Sequence, residues 1–392
     1  MGIDVVAERA ATPGCAGVLH LDHAGASLPP RVVTETIIAQ LRREEELGGY
    51  AAADAVADRR GQVRTSLARL LGVTAEEVAI VENASRAWQL TVGALARRWR
   101  PAGRLLTWRT EYGSNVMEAL ALAGRRDVEV AVLPDDAQGR VDLDALDDAL
   151  DDRVAMIALT HAPSIDGVVQ PAAEVGRRAR AAGVPFVLDV CQSVGQLDVT
   201  LPGTGADVLV GTGRKFLRGP RGTGFLAVRG ELLATLDAPF AELGSSRWAP
   251  TGEVTPFPDA RRFETWERSV ALELGLGAAV DHLLSLGPAA VEAHVTAVAE
   301  DLRRRLAELP RITVRDTGPP RSAIVTFTVD GVDAAELVAQ LRSERIHLSA
   351  MDASAARWAL GARGLPAVLR ASVHTTTTEE ELDRFVARLA SW

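Results

Sequence analysis

Between about residues 31 and 230 the chain alternates between two hydrophobic rhythms. Apolar residues spaced three and four apart predict helices over 31–46, 56–71 and 85–99, with shorter ones at 143–150 and 172–182. Between them lie short, almost continuously apolar runs at 77–81, 104–108, 128–133, 154–160, 185–190, 208–211 and 224–228. Strands that are apolar on both sides belong in a sheet covered on both faces. Alternation with helices makes that sheet mostly parallel. The stretch 238–258, rich in Pro, Gly and Ser, reads as irregular. After it come helices over 270–286, 289–309, 334–344 and 379–391, interleaved with strands at 312–315, 322–329 and 369–373. The expected organisation is an α/β fold with an N-terminal arm (1–30), a large domain (31–257) and a smaller α+β C-terminal domain (258–392).

Composition narrows the function classes. The 392 residues are 47% apolar, an ordinary globular fraction, so a disordered chain is excluded. A net charge of −9 argues against nucleic acid and anionic membranes as main partners. No apolar run is long enough to span a bilayer, and residues 1–12 contain no export signal. Two cysteines, Cys15 and Cys191, provide neither a disulfide framework nor a cysteine metal site, so no metal is expected. These features together suggest a cytoplasmic protein.

One count is unusual. Lys215 is the only lysine among 43 lysine and arginine residues. Arginine replaces lysine wherever only positive charge is required. It cannot replace a nucleophilic amine, because guanidinium stays protonated. Lys215 is therefore a candidate for covalent chemistry, against the alternative of a surface lysine left by chance. It lies in a glycine-rich loop, Thr212-Gly213-Arg214-Lys215-Phe216-Leu217-Arg218-Gly219-Pro220-Arg221-Gly222-Thr223-Gly224, directly after a strand. Thr212 and Arg214 could hold a phosphate, and a nearby cation would lower the lysine pKa.

Three other strand ends carry polar groups. Asn83-Ala84-Ser85 opens a helix, where free N–H groups make an anion site or simply a capped helix end. Asp189 ends a run that should be buried. It needs a partner there, either a cationic heterocycle nitrogen or a buried arginine or N-cap. Cys191 reads as a small core residue. Arg370 lies within a strand of the second unit, and its planar fork suits a carboxylate.

A lone lysine, a buried carboxylate one strand earlier, an anion-binding helix start and an arginine in the second unit together describe a pyridoxal 5'-phosphate site. From Leu21-Asp22-His23-Ala24-Gly25-Ala26-Ser27 to Arg370 and the segment 375–381, the chain resembles fold-type I enzymes of aminotransferase class V. These include cysteine desulfurases, selenocysteine lyases, isopenicillin N epimerase-like proteins and ergothioneine-type C–S lyases. The resemblance implies that Lys215 forms the Schiff base and shuttles the Cα proton, while Asp189 pairs with the pyridinium nitrogen. It puts Gln192 at the phenolic oxygen and has Ala84, Ser85, Thr212 and Arg214 hold the phosphate. It stacks Tyr112 on the ring and gives the amino-acid substrate contacts at Arg370, His23 and Ser164. It also implies a homodimer.

The departures bear on the reaction. Desulfurases carry a cysteine on a second-domain loop, where this chain has Ser354, and there is no cysteine after Cys191. The family's Arg-Phe-Glu-x-Gly-Thr segment appears as Arg262-Phe263-Glu264-Thr265-Trp266-Glu267, so its threonine is lost. The expected activity is β-elimination from a cysteine-derived substrate, with transamination, epimerisation or desulfuration as alternatives.

Overall fold

The computed structural model describes residues 2–392; Met1, the first residue of the expected arm, lies outside them. In chain order the strands are β1 Leu19–His20, β2 Val78–Val81, β3 Gly103–Trp108, β4 Val128–Leu133, β5 Val154–Thr160, β6 Phe186–Asp189, β7 Val208–Thr212, β8 Gly224–Val228, β9 Ser246–Trp248, β10 Val254–Pro256, β11 Ile312–Val314, β12 Ile324–Val329, β13 Ile346–His347, β14 Ser349–Asp352 and β15 Ala367–Ser372. The main sheet has the order β2-β8-β7-β6-β5-β3-β4. β7, β6, β5, β3 and β4 run parallel; β8 alone opposes its neighbours. A second, antiparallel sheet has the order β11-β12-β15-β14.

Period-two geometry explains why the main strands are apolar throughout. Successive side chains point to opposite faces. Leu106, Ile157, Leu188 and Leu209 enter one core, while their neighbours Leu105, Met156, Val187 and Val208 enter the other. Helices cover both faces, so no strand face is left for water. The core on the first side continues through the second sheet, taking in Ile324, Phe327, Leu369 and Phe385. Helix Val270–Leu286 packs on helices Arg31–Leu47 and Ala57–Leu71 of the large sheet's layer. β1 pairs in parallel with β13, tying the N-terminal segment to the second unit.

Two segments depart from the hydrophobic reading. The stretch expected to be irregular contains a hairpin of β9 and β10. Helix Gly113–Arg126 is not signalled by its pattern. Its buried face is built from the small or polar residues Asn115, Ala119 and Ala123, whereas Met117 and Leu120 point outward. Large apolar side chains on the solvent side defeat a reading based on an apolar stripe facing the core.

The Lys215 loop is held from below. The Arg218 backbone is left-handed (φ 62°), and its buried guanidinium donates to Glu8 (2.8 Å) and to the Leu28 carbonyl (3.1 Å). His374, after β15, hydrogen-bonds the Phe216 carbonyl (2.8 Å). Helix Val5–Ala10 thereby pins the loop through Glu8. Burial alone would raise the Glu8 carboxyl, but His282 and Arg218 outweigh it and hold it at about 2. A depressed carboxylate stabilises the fold above its unfolded pKa and loses that effect as pH falls through the folded value. Glu8→Gln should therefore cost about 2–3 kcal/mol in urea unfolding at pH 7, with more than half of the difference gone by about pH 3. An equal cost at both pH values would show that the ion pair is not the source of stability.

Candidate functional site

Strand register brings the polar strand ends to one rim. Thr160 of β5 stands beside Asp189 of β6, and Thr212 of β7 stands beside Gly224 of β8, which in turn faces Val81 of β2. Open α/β sheets bind ligands at this carboxyl edge. A cavity of about 220 Å³ opens there. Ala84, Ser85, Tyr112, Ser164, Asp189, Gln192, Thr212, Arg214 and Lys215 all line it, together with Glu111, Asn115 and Cys191. Met351, Ala355 and Ala356 of the second unit complete its wall.

Lys215 is buried (9% exposed), with its Nζ 5.7 Å from the Tyr112 ring centre. Burial lowers its pKa, and the cations Arg214 and Arg370 lower it further against the opposing pull of Cys191 and Asp189. An amine so placed is more readily neutral and nucleophilic. Asp189 is 4% exposed. Its Oδ1 accepts from the Cys191 N–H and its Oδ2 from Asn115 Nδ2, both at 2.9 Å. Among the described residues no arginine or lysine forms a salt bridge with it. Of the alternatives left open for Asp189, the described residues supply no buried arginine, while the Cys191 N–H provides a capping-type bond.

The helix opening at Ala84 has a satisfied cap, since Asn83 accepts from the Arg86 N–H (2.9 Å). The N–H groups of Ala84 and Ser85 have no intrahelical acceptor and face the cavity rim. Gly224 permits this approach: a Cβ there would lie 2.5 Å from the Asn83 carbonyl carbon. Thr212 donates to the Thr223 carbonyl (3.3 Å), and Arg214 donates to the Gly25 carbonyl. Gln192 donates to the Ala24 carbonyl (3.0 Å), leaving its buried Oε1 without a partner. A buried acceptor without a donor, a helix start and an unpaired carboxylate are what a phosphorylated heterocycle with a ring N–H and a hydroxyl can satisfy. The residues present fit pyridoxal 5'-phosphate.

Two expected substrate contacts need correction. His23 is fully buried and does not line the cavity. It hydrogen-bonds Ser27 (2.9 Å) and packs on His20 and His374, and burial holds it well below the usual histidine range. It is a neutral core residue beneath the loop. Arg370 stands behind the cavity wall, not in it. It donates to Asp22 (3.0 Å), Ser349 (3.2 Å) and the Ser164 carbonyl (3.4 Å). Its Nη2 is engaged by Asp22 and Ser349, while its buried Nε has no partner and leaves an edge of the fork open to a further acceptor.

Glu111 and Asn115 are among the cavity residues that the sequence did not single out for a role. Glu111 Oε1 accepts from Thr160 (2.7 Å), Asn115 (2.9 Å) and the Tyr112 N–H (2.9 Å). Burial, then the charge of Asp189, raises its carboxyl to about 7. The only signal for it was its place before Tyr112 in Glu111-Tyr112-Gly113-Ser114-Asn115. Cys191 also lines the cavity, but burial followed by the Asp189 charge pushes its thiol well up, keeping it protonated.

Comparison with known proteins agrees with this geometry. Residues 19–385 match the aminotransferase class-V family model. The chain is 34% identical, over 98% of its length and 92% of the relative's, to a probable hercynylcysteine sulfoxide lyase of Mycobacterium tuberculosis. It is 30% identical to a probable cysteine desulfurase of Xylella fastidiosa, over 83% of this chain and 78% of that one. Among solved structures, a cystine C-S lyase in complex with its reaction product cysteine persulfide superposes with a TM-score of 0.87 at 25% identity, covering 97% of this chain and 99% of that chain. An apo cysteine desulfurase from Thermococcus onnurineus superposes at 0.90 with 23% identity, which bears on the fold.

The geometry predicts selective labelling. Borohydride reduction of the protein with pyridoxal 5'-phosphate should add the ligand's mass to the Lys215 peptide alone. Arg214→Gln removes one cation beside Lys215, so the pH midpoint of that labelling should rise. Label on the N-terminal amine instead, or an unchanged midpoint, would contradict this reading of the loop.

Proposed function

The chain belongs to the aminotransferase class-V family, and from that premise we propose that it is a pyridoxal 5'-phosphate-dependent C–S lyase performing β-elimination on a cysteine-derived substrate. The substrate is an S-conjugate, a sulfoxide or a thiocysteine, and the products are pyruvate, ammonia and a sulfur compound. Lys215 would hold the cofactor through its amine, Asp189 its ring nitrogen, and Ala84, Ser85, Thr212 and Arg214 its phosphate, with Tyr112 across the ring. When bound, the cofactor supplies an electron sink for the charge left at the substrate Cα.

The chain's own residues do the rest. Lys215 Nζ, held below the usual lysine range, takes the Cα proton. The Cβ–S bond then breaks, and the sulfur group leaves with the electron pair. The released 2-aminoacrylate reacts with water to give pyruvate and ammonia. Asp189, held by the Cys191 N–H and Asn115, would face the ring nitrogen. The wall formed by Met351, Ala355 and Ala356 narrows the side facing the second unit.

The observation that carries this reading is the absence of a usable thiolate among the cavity residues. A desulfurase transfers sulfur to an enzyme cysteine, which must ionise to attack. Cys191 is the only cavity thiol, and it is kept protonated beside Asp189. Ser354 is not among the lining residues and donates its hydroxyl to Asp352. The substrate's sulfur must therefore leave unaided.

A homodimer belongs to the same proposal. Tyr50, Met117, Trp248 and Trp266 are each more than half exposed. A two-fold pairing of copies, the commonest closed assembly, is a way to cover such side chains. The unpaired Cys15 and Cys191 suit a reducing, cytoplasmic setting. No single helix among the described residues is long and apolar enough to cross a membrane.

The test is a panel of cysteine S-conjugates and sulfoxides assayed for pyruvate without added keto acid. Wild type and Cys191→Ala should both release pyruvate and sulfur product, Lys215→Ala neither, and Asp189→Asn should lose on the order of 10² in kcat. Dependence on a keto acid would assign a transaminase. Loss of sulfur release in Cys191→Ala would assign a desulfurase. Light scattering at assay concentration should return twice the chain mass.

A further inference from the structure

The carboxylate that would meet the cofactor's ring nitrogen does not stand alone. A single amide nitrogen, Asn115 Nδ2, donates one hydrogen to Asp189 Oδ2 and the other to Glu111 Oε1, both at 2.9 Å. The two buried carboxyl groups are thus bridged by one side chain. Glu111 Oε1 takes three donors, while Glu111 Oε2 is buried without any partner. The three donors favour an ionised group. Burial and the neighbouring charge of Asp189 favour a protonated one, whose proton would then sit on Oε2. No salt bridge reaches either carboxyl among the described residues, though the charge of Lys215 acts on Asp189 across the cavity; Asn115 and Thr160 are the pair's side-chain donors.

We propose that Glu111 is a positioning residue coupled through Asn115 to Asp189, and that docking of a ring N–H cation on Asp189 expels the proton held on Glu111 Oε2 into solvent. The inference rests on the cofactor reading of the cavity. Its logic is linkage. Burial first, and then the free Asp189 carboxylate, raise Glu111 to about 7. A cation placed on Asp189 cancels that charge, so the Glu111 carboxyl falls from about 7 toward the value that burial alone sets and gives up part of its proton. By reciprocity, an ionised Glu111 tightens the hold of the site on a protonated ring. The other groups facing Glu111 leave this balance intact. Tyr112 contributes its backbone N–H, and Lys215 and Arg214 stand elsewhere on the cavity lining. Burial keeps His161, next to Thr160, neutral at about 4, and the Cys191 thiol is held protonated. Glu111 is the group in this cluster poised near neutrality.

The experiment counts protons without turnover. The probe is 4-deoxypyridoxine 5'-phosphate, which keeps the ring nitrogen and phosphate but cannot bond Lys215. It is titrated into the full chain, freed of cofactor, by calorimetry in buffers of different ionisation enthalpy. The probe's own protons cancel between wild type and Glu111→Gln. At pH 7 wild type should release more protons per site than Glu111→Gln, by up to about half a proton, the difference vanishing near pH 9. A merely structural role for Glu111 would change affinity or melting and leave the proton counts equal, which would overturn the proposal. Should Glu111→Gln not fold, infrared difference spectra of ¹³C-glutamate-labelled wild type decide. The probe should weaken a protonated carboxyl band, and a band of unchanged intensity refutes the coupling. Failure of wild type to bind the probe at all would instead remove the cofactor reading, a distinct result.

Discussion

The site is organised around a carboxylate that the chain buries without giving it a cation. Asp189 sits at the end of β6, between parallel neighbours, where water is excluded. Ionised carboxylates in such places are costly unless they are paired. The protein supplies only neutral donors, the Cys191 N–H and Asn115. A ring cation, as proposed, would supply the missing partner, and the surrounding architecture opens onto the same place. The Lys215 loop, the helix start at Ala84 and the rim of β5 all converge on the same cavity.

Rigidity underneath makes that convergence reproducible. The loop bearing Lys215 closes on itself through Gly219 N–H to Gly213 carbonyl (2.7 Å) and Gly213 N–H to Thr223 carbonyl (3.0 Å). Arg218 anchors it to the N-terminal helix, and His374 anchors it to the segment after β15. A nucleophile placed this way has little freedom to wander, which is what positioning for proton transfer demands. The second unit contributes differently. Arg370, Ser349 and Asp22 form a polar cluster just behind Ser164, so the wall nearest the substrate side is itself charged and balanced.

The same geometry explains why thiol chemistry is disfavoured. Cys191 and Asp189 are neighbours on one turn, and burial, then the negative charge that would suit a ring cation, suppress a thiolate. One electrostatic choice thus supports elimination while opposing persulfide formation on the enzyme.

How much of this was legible from residue order follows from the range of the interactions. The alternation of helices and doubly buried strands, the singular Lys215, the glycine loop and the terminal aspartate of β6 are local properties. Hydrophobic period and residue type express them within a dozen positions. Helix Gly113–Arg126 escaped because small residues form its buried face, so its pattern points the wrong way. His23 looked like a ligand in its motif, yet packing placed it in a core of histidines. Arg370 looked free, yet Asp22, 348 positions away, engages it. Glu111 and Asp189 share Asn115 only because the register of β5 on β6 sets Thr160 beside Asp189, with Glu111 hydrogen-bonded to Thr160. Which chemistry the chain can support was determined by its residues. Which of them share a proton, a wall or a burial was decided by strand register and packing between distant segments, which no local pattern encodes.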